Sequence, residues 1–300
     1  MQFRKKRSCC KKLRTENDEP HIVQKATSNV MSGAGDVQYV APFYCHAFVR
    51  SCQWQIPQMP KHAREVAGQK VFYKTAKHEE IYSMIVDERM VTYIRSLERP
   101  ENPVIEEIEQ EALDSYVPII RKETQSFLKV MMLMNRPARV LEVGTAVGFS
   151  AILMSEYLPE DSHITTIENY EKRIPIARNN FKRAGKEEKI TLIEGDALEV
   201  MKTLEGPYDF IFMDAAKGQY IHYMPEAVRL LSEGGILMSD NVLQDGDIIE
   251  SRFAVERRNR TIHSRMREYL YELKHSDVLE TSIIPLGDGV ALSIKKKKEV

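Results

Sequence analysis

Cysteine is missing from most of the chain. All four, Cys9, Cys10, Cys45 and Cys52, and the single tryptophan, Trp54, fall within the first 54 of 300 residues. A disulfide-stapled fold is thereby excluded for the remainder, and the cysteine spacing, with His46 and His62 off the ligand intervals, matches no zinc pattern. Long apolar runs are absent too. No stretch reaches the roughly 18 to 20 residues needed to span a bilayer, and the lysine-rich start lacks the apolar core of a secretory signal. A cytoplasmic protein is the default expectation. Nor is there an excess of either charge. With 43 basic and 44 acidic residues the net charge is -1, so a nucleic-acid partner would have to be met by a local patch.

What is present is a core-forming composition, 43% hydrophobic and 29% charged. Residues 1–83 carry "MQFRKKRSCCKKLR" and scattered Gly, Pro, Ser and Gln with no sustained period of 2 or 3.6, and are expected to be disordered or a dispensable extension, translation naturally starting at Met84. A presequence fits less well, because "TENDEP" places acid where transit peptides avoid it. Residues 84–300 form the expected domain. "VDERMVTYIRSL" and "VIEEIEQEALDSY" have apolar residues at helical intervals, with Pro103 at a helix start. Five strand-length apolar runs follow: "ARVLEV", "HITTIE", "KITLIEG", "YDFIFMD" and "GILMSD". Between them lie helical patterns such as "EKRIPIARNNFKRAG" and "YIHYMPEAVRLLSEGG". Strict alternation of this kind predicts βαβ units, a doubly wound, mostly parallel α/β sheet with helices on both faces. The closing "VLETSIIPLGDGVALSIKKKK" reads as a hairpin that adds an antiparallel edge and brings the sheet to seven strands.

In an open parallel sheet the carboxyl ends of the strands converge on one crevice. Each of the five runs ends in or beside an acid: Glu142, Glu168, Asp196, Asp214, and Asp240 with Asn241. Any one acid at a strand end can be a helix N-cap; five in register suggest a site. The first turn, "LEVGTAVGFS", lacks the Walker lysine and the strict G-x-G-x-x-G spacing, which disfavours a phosphate-bearing cofactor. S-adenosylmethionine meets the pattern better, because a sulfonium cation tolerates acidic walls. Gly144 and Gly148 would let it approach, Glu168 would accept the ribose hydroxyls, Asp196 the adenine amine, and Ser150 would bond the amino-acid end. Asp214, Asp240 and Asn241 offer three hard oxygens, suited to Mg2+. Lys217, one turn beyond Asp214, is placed to act as a base, although a lysine taken at random is usually solvent-exposed.

"LEVGTAVGFS", "TIEN", "GDALE", "MDAAKGQY", "SDNVL" and "PLGDGVALS" resemble, in order and spacing, the metal-dependent catechol and caffeoyl-CoA O-methyltransferase family, a class I, Rossmann-like methyltransferase fold. The resemblance runs from about residue 84 to the end. It implies Asp214, Asp240 and Asn241 as metal ligands, Lys217 as the base, and Glu142, Gly144, Ser150, Glu168, Asp196 with neighbouring Ala197, and Asp214 as the cofactor shell. Ile120 would touch the methionine part of the cofactor. Within the family, "VPII", "DAAKGQY", "DNVL", the arginine cluster and "IIPLGDG" are most similar to the bacterial tRNA 5-hydroxyuridine methyltransferases. The expected reaction is then methylation of the wobble 5-hydroxyuridine of tRNA to 5-methoxyuridine. O-methylation of a small catechol or hydroxycinnamoyl-CoA-type compound is the alternative, and a catalytically silent binding module the third reading. "AAK" after Asp214 departs from the bulkier aromatic wall of the catechol enzymes.

RNA would need phosphate contacts. "ESRFAVERRNRTIHSRMREY" places Arg252, Arg257, Arg258, Arg260, Arg265 and Arg267 within 16 positions. If helical, the stretch would carry guanidiniums, those of Arg257, Arg258 and Arg260 foremost, to the mouth of the site; otherwise it is a solvated face paired with Glu256 and Glu268. The apolar stripes of the first two helices exceed what the sheet needs, and a homodimer is expected.

Overall fold

The computed structural model describes residues 86–297. The cysteines, Trp54 and the expectations for residues 1–83 lie outside them. Three helices precede the sheet: α1 (Glu88–Arg95), α2 (Pro103–Asp114) and α3 (Lys122–Asn135). Asp87 and Asn102 cap the first two, Asn102 accepting from Val104 N–H at 3.1 Å, and Pro103 sits where its missing N–H costs nothing. None of α1 is buried. It is held by charge, Arg95 bonding Glu123 at 2.6 Å, while Lys129 gathers Glu98 and Glu101.

The alternating region then gives β1 (Arg139–Val143), α4 (Phe149–Tyr157), β2 (His163–Glu168), α5 (Ile174–Arg183), β3 (Ile190–Glu194), α6 (Ala197–Thr203), β4 (Tyr208–Met213), α7 (Tyr220–Leu230) and β5 (Leu231–Ser239). After α8 (Arg260–His275), β6 (Leu279–Ile284) and β7 (Val290–Lys295) close the chain. The seven strands lie in the order β3-β2-β1-β4-β5-β7-β6, parallel from β3 to β5, with β7 antiparallel to β5 and β6 antiparallel to β7. The expected doubly wound sheet with its antiparallel hairpin is therefore present. Two-residue periodicity divides the core. Phe210 and Phe212 of β4 join Val140 and the α3–α4 side chains Leu128, Met132 and Ile152 on one face. Ile211 and Met213 join Leu141, Tyr220, Tyr269 and Leu273 on the other.

Two expectations shift. The helical pattern "YIHYMPEAVRLLSEGG" stops at Leu230, because Leu231 already pairs with Tyr208, and Lys295 Nζ donates to the Val228 and Leu231 carbonyls at the helix end. The arginine-rich run is helical only from Arg260 onward; Arg252, Arg257 and Arg258 lie in the turns before α8. No helix of the described residues is long and apolar enough to cross a membrane.

Candidate active site

The strand ends are locked in step by backbone bonds. Gly144 and Thr145 N–H donate to the Ile167 carbonyl, Asp214 N–H to Val143 at 3.0 Å, and Asp240 N–H to Met213 at 3.0 Å. Acids that follow the last residue of neighbouring strands are thus carried to a common rim. Above it lies a cavity of about 650 Å3. Ile120, Gly144, Ser150, Glu168, Ala197, Asp214, Lys217 and Asn241 all line it, so eight of the residues expected at the site meet in one space.

The glycine turn is bare for a packing reason too. Gly144 has φ +106, and a Cβ there would sit 2.1 Å from the Asp214 carbonyl oxygen. Its bareness lets the β1 turn cross the β4 turn, which brings the Glu168 and Asp214 walls together. Gly148, φ +84, would drive a Cβ to 2.5 Å from the Phe181 ring and does not line the cavity. It serves helix–helix packing, not cofactor approach.

Glu168 accepts from Ala146 N–H (2.7 Å), Asn169 N–H (3.0 Å) and Tyr170 N–H (2.8 Å). Three backbone donors fix its plane and leave lone pairs for hydroxyls in the cavity. Glu142 stands elsewhere. As the penultimate residue of β1 it points to the α4 face, is fully buried, does not line the cavity, and accepts from Ser150 Oγ and Thr166 Oγ1, each at 2.5 Å. Burial pushes its carboxyl up to about 7, more than those two hydroxyls can offset, with the Asp214 and Glu168 charges adding to the rise. Glu142, expected in the cofactor shell, therefore meets the cavity only through Ser150, which it bonds and which does line it. Asp196 is likewise outside the lining and caps α6, its Oδ1 accepting from Leu198 and Glu199 N–H.

Asp240 is buried and Asp214 is half-buried in the cavity wall, and desolvation holds both carboxyls above the usual range. For Asp240 the Asp214 charge raises it further; Lys217 opposes the rise at both. Asp214 and Asn241 face the cavity and Asp240 lies behind them, its Oδ1 accepting from Asn241 N–H at 2.8 Å. Asn241 takes φ +57, a left-handed backbone that asparagine tolerates. Among the described residues no three His, Cys, Asp or Glu side chains cluster to hold a metal. The expected donor set consists of two carboxylates and an amide oxygen, those of Asp214, Asp240 and Asn241. Two neighbouring acids, one buried and one at the cavity wall, repelling each other beside the Lys217 ammonium fit a hard divalent cation, which would remove the repulsion.

Several residues here escaped the sequence reading. Asp288, from "PLGDG", is buried, stands 3.5 Å from Lys217 Nζ, and accepts from Asp245 N–H. Arg121 bonds Asp245 at 2.6 Å, joining the segment before α3 to the turn Gln244–Ile249 across the cavity. Tyr220, fully buried, serves the Met213 and Asp240 carbonyls and accepts from Ala215 N–H, tying the two acid-bearing turns to α7. Tyr220 and Asp288 had a local signal, as letters of "MDAAKGQY" and "PLGDGVALS"; Arg121 had none.

The arginines behave differently from expectation. Arg258 pairs with Glu256 at 2.7 Å. Arg260 donates to Val255 and Phe253 carbonyls, Arg265 to Gly218 and Arg267 to Ile248. None of the six lines the large cavity, so the expected guanidinium rim at its mouth is not formed. Arg260, Arg265 and Arg267 thus each bond a backbone carbonyl within the fold.

A family model described as O-methyltransferase matches residues 95–296. Catechol O-methyltransferase of Niastella koreensis is 29% identical over 179 residues, covering 57% of this chain and 79% of that protein. Caffeoyl-CoA O-methyltransferase 2 of Populus trichocarpa is 31% identical over 180 residues, covering 55% and 70%. The crystal structure of an SAH-bound methyltransferase of Podospora anserina superposes with a TM-score of 0.64 at 26% identity, covering 70% of this chain and 94% of that one.

Proposed function

The chain belongs to the O-methyltransferase family, and from that premise we propose that it methylates a hydroxyl of a small aromatic acceptor of the catechol or hydroxycinnamoyl-CoA kind, assisted by a divalent cation of the Mg2+ class. It is an S-adenosylmethionine-dependent O-methyltransferase, as its relatives are. One observation carries the finer reading: a single cavity is walled on one side by Gly144, Ser150 and Glu168 and on the other by Asp214, Lys217 and Asn241. Donor and acceptor sites thus adjoin.

S-adenosylmethionine, when bound, supplies an already activated methyl group, and Mg2+ would make an acceptor hydroxyl a stronger acid. The rest is work for the chain. Glu168, fixed by three N–H groups, orients the ribose hydroxyls; Ser150, its proton given to Glu142, offers lone pairs to the donor's ammonium. Asp214, Asp240 and Asn241 would hold the cation. Lys217 Nζ is the group placed to take the proton of the acceptor hydroxyl, and Asp288 steadies the resulting ammonium. Holding oxygen and methyl in near-attack geometry can supply roughly 7 kcal/mol or more of the barrier reduction.

Methylation of 5-hydroxyuridine in tRNA leans on the arginine run, three of whose six side chains, Arg260, Arg265 and Arg267, bond backbone carbonyls of the fold. Incubation with labelled S-adenosylmethionine, Mg2+ and, separately, a catechol, a hydroxycinnamoyl-CoA and hydroxyuridine-bearing tRNA distinguishes the acceptors. Label is expected in the small aromatics. Transfer to tRNA alone would replace this reading with the RNA one.

A further inference from the structure

Arg121 and Asp245 meet at the Lys217 end of the large cavity, which both of them line. Arg121 precedes α3, Asp245 belongs to the turn Gln244–Ile249, and one guanidinium N–H joins them at 2.6 Å. The two side chains are 36% and 69% exposed, and an ion pair this open to solvent adds little to global stability. What it holds is a strained turn. Gln244, Asp245 and Gly246 are all left-handed, with φ +52, +51 and +96. Two successive non-glycine residues in that region are unusual, and such strain persists only where the surroundings impose it. Here it is imposed from two sides: Arg121 takes the Asp245 side chain, and the Asp245 N–H donates to the Asp288 carboxylate.

Asp288 is the pivot. It is buried in the turn between β6 and β7, whose backbone is knit to the segment before the strained residues: Leu243 N–H donates to the Asp288 carbonyl and Val242 N–H to that of Gly289, each at 3.0 Å. Its two carboxylate oxygens are divided. Oδ1 takes the Asp245 N–H, while Oδ2 stands 3.5 Å from Lys217 Nζ. The Arg121 stem runs beside the same turn, where a Cβ on Gly287 would fall 3.7 Å from its Cδ. A continuous path of contacts therefore leads from Arg121 through Asp245 and Asp288 to Lys217. Releasing Asp245 would strip Oδ1 of its donor and let the carboxylate swing about its soft terminal torsion, away from the Lys217 amine.

We propose that Arg121 is a positioning residue for methyl transfer: by pinning Asp245 it keeps Asp288 aimed at Lys217. This role rests on Lys217 taking the acceptor proton, and is indifferent to which acceptor supplies it. The contact is a single N–H···O bond, not a two-pronged one, so a lysine at 121 keeps the attraction whereas a glutamine loses its charge.

The test compares the wild type with Arg121→Gln, Arg121→Lys, Asp288→Asn, the Arg121→Gln/Asp288→Asn double variant and Lys217→Met, using labelled S-adenosylmethionine, Mg2+ and the acceptor that takes label in the assay above. Arg121→Gln should lower kcat at least about fivefold with the affinity for S-adenosylhomocysteine unchanged, and Arg121→Lys should recover most of that loss. The double variant should be no slower than Asp288→Asn alone, because both substitutions break one path. Hydrogen exchange of the Asp245 amide, which needs neither donor nor metal, should quicken about fivefold in Arg121→Gln. With Lys217→Met inactive, an unchanged kcat or an unchanged Asp245 exchange in Arg121→Gln, or losses that multiply in the double variant, would overturn the role given to Arg121 and leave Lys217 as the base. Full turnover in Lys217→Met would instead show that the base assignment itself has failed, and the role of Arg121 would fall with it.

Discussion

Replacing Glu142 by glutamine should flatten the pH dependence of stability. Glu142 is fully buried, and its carboxyl is pushed up to about 7 from an ordinary value of 4.5. Below about pH 4.5 the group is protonated in both folded and unfolded chains and burial is inexpensive. Between about 4.5 and 7 the unfolded chain releases the proton while the folded chain keeps it, so stability falls as pH rises and levels off above 7. A shift from 4.5 to about 7 corresponds to about 3 kcal/mol at 1.36 kcal/mol per unit. Asp214 and Asp240 are displaced in the same direction for the same reason, but they remain in the variant, so the difference between the two proteins isolates Glu142. Urea unfolding of both proteins at pH 5 and pH 8 measures it. The wild type is expected to lose about 2–3 kcal/mol more than the variant over that interval. Equal losses would show that Glu142 is ionised in the folded protein and that its burial among Ser150 and Thr166 has been misjudged.

Other substitutions probe other joints. Gly144→Ala forces a side chain into φ +106 and against the Asp214 carbonyl, and should cost at least about 2 kcal/mol in chemical denaturation; a loss under half of that would show that the β1 and β4 turns can separate. Glu168→Gln turns an amide NH2 toward a backbone N–H that now bonds a carboxylate. Its affinity for S-adenosylhomocysteine should drop at least tenfold by calorimetry, whereas an unchanged affinity would remove Glu168 from the ribose site. Met90, Tyr93 and Ile94 of α1 are exposed, and sedimentation should find a dimer that Met90→Lys with Ile94→Lys converts to monomer; a wild-type monomer would end that expectation.

The strand ends were legible because a five- or six-residue apolar run between helical patterns fixes where a strand stops, and a residue just past that stop lies on the rim. Asp214 and Asp240 follow β4 and β5 directly, and both sit where their spacing puts them. Depth was harder to read. Glu142 is one residue short of the end of β1, so two-residue alternation turns it into the α4 face, a parity that was present in "ARVLEV" but needed the exact strand end. Asp196 illustrates an ambiguity that spacing cannot resolve, since a strand-end acid and a helix N-cap occupy the same position. The arginines differ from expectation because charge density shows that guanidiniums are near one another, not that three of them donate to carbonyls of neighbouring turns. Asp288 and Arg121 reach the site from distant parts of the chain, and only the sheet order brings them to Lys217 and Asp245.

Methyl transfer from labelled S-adenosylmethionine to a catechol, compared with and without a divalent cation, tests most directly whether Asp214, Asp240 and Asn241 hold a metal beside the donor site. Turnover is expected with Mg2+ and should fall at least a hundredfold, about 2.7 kcal/mol, in excess EDTA or in Asp240→Asn. Undiminished transfer in EDTA by a protein freed of metal would contradict it.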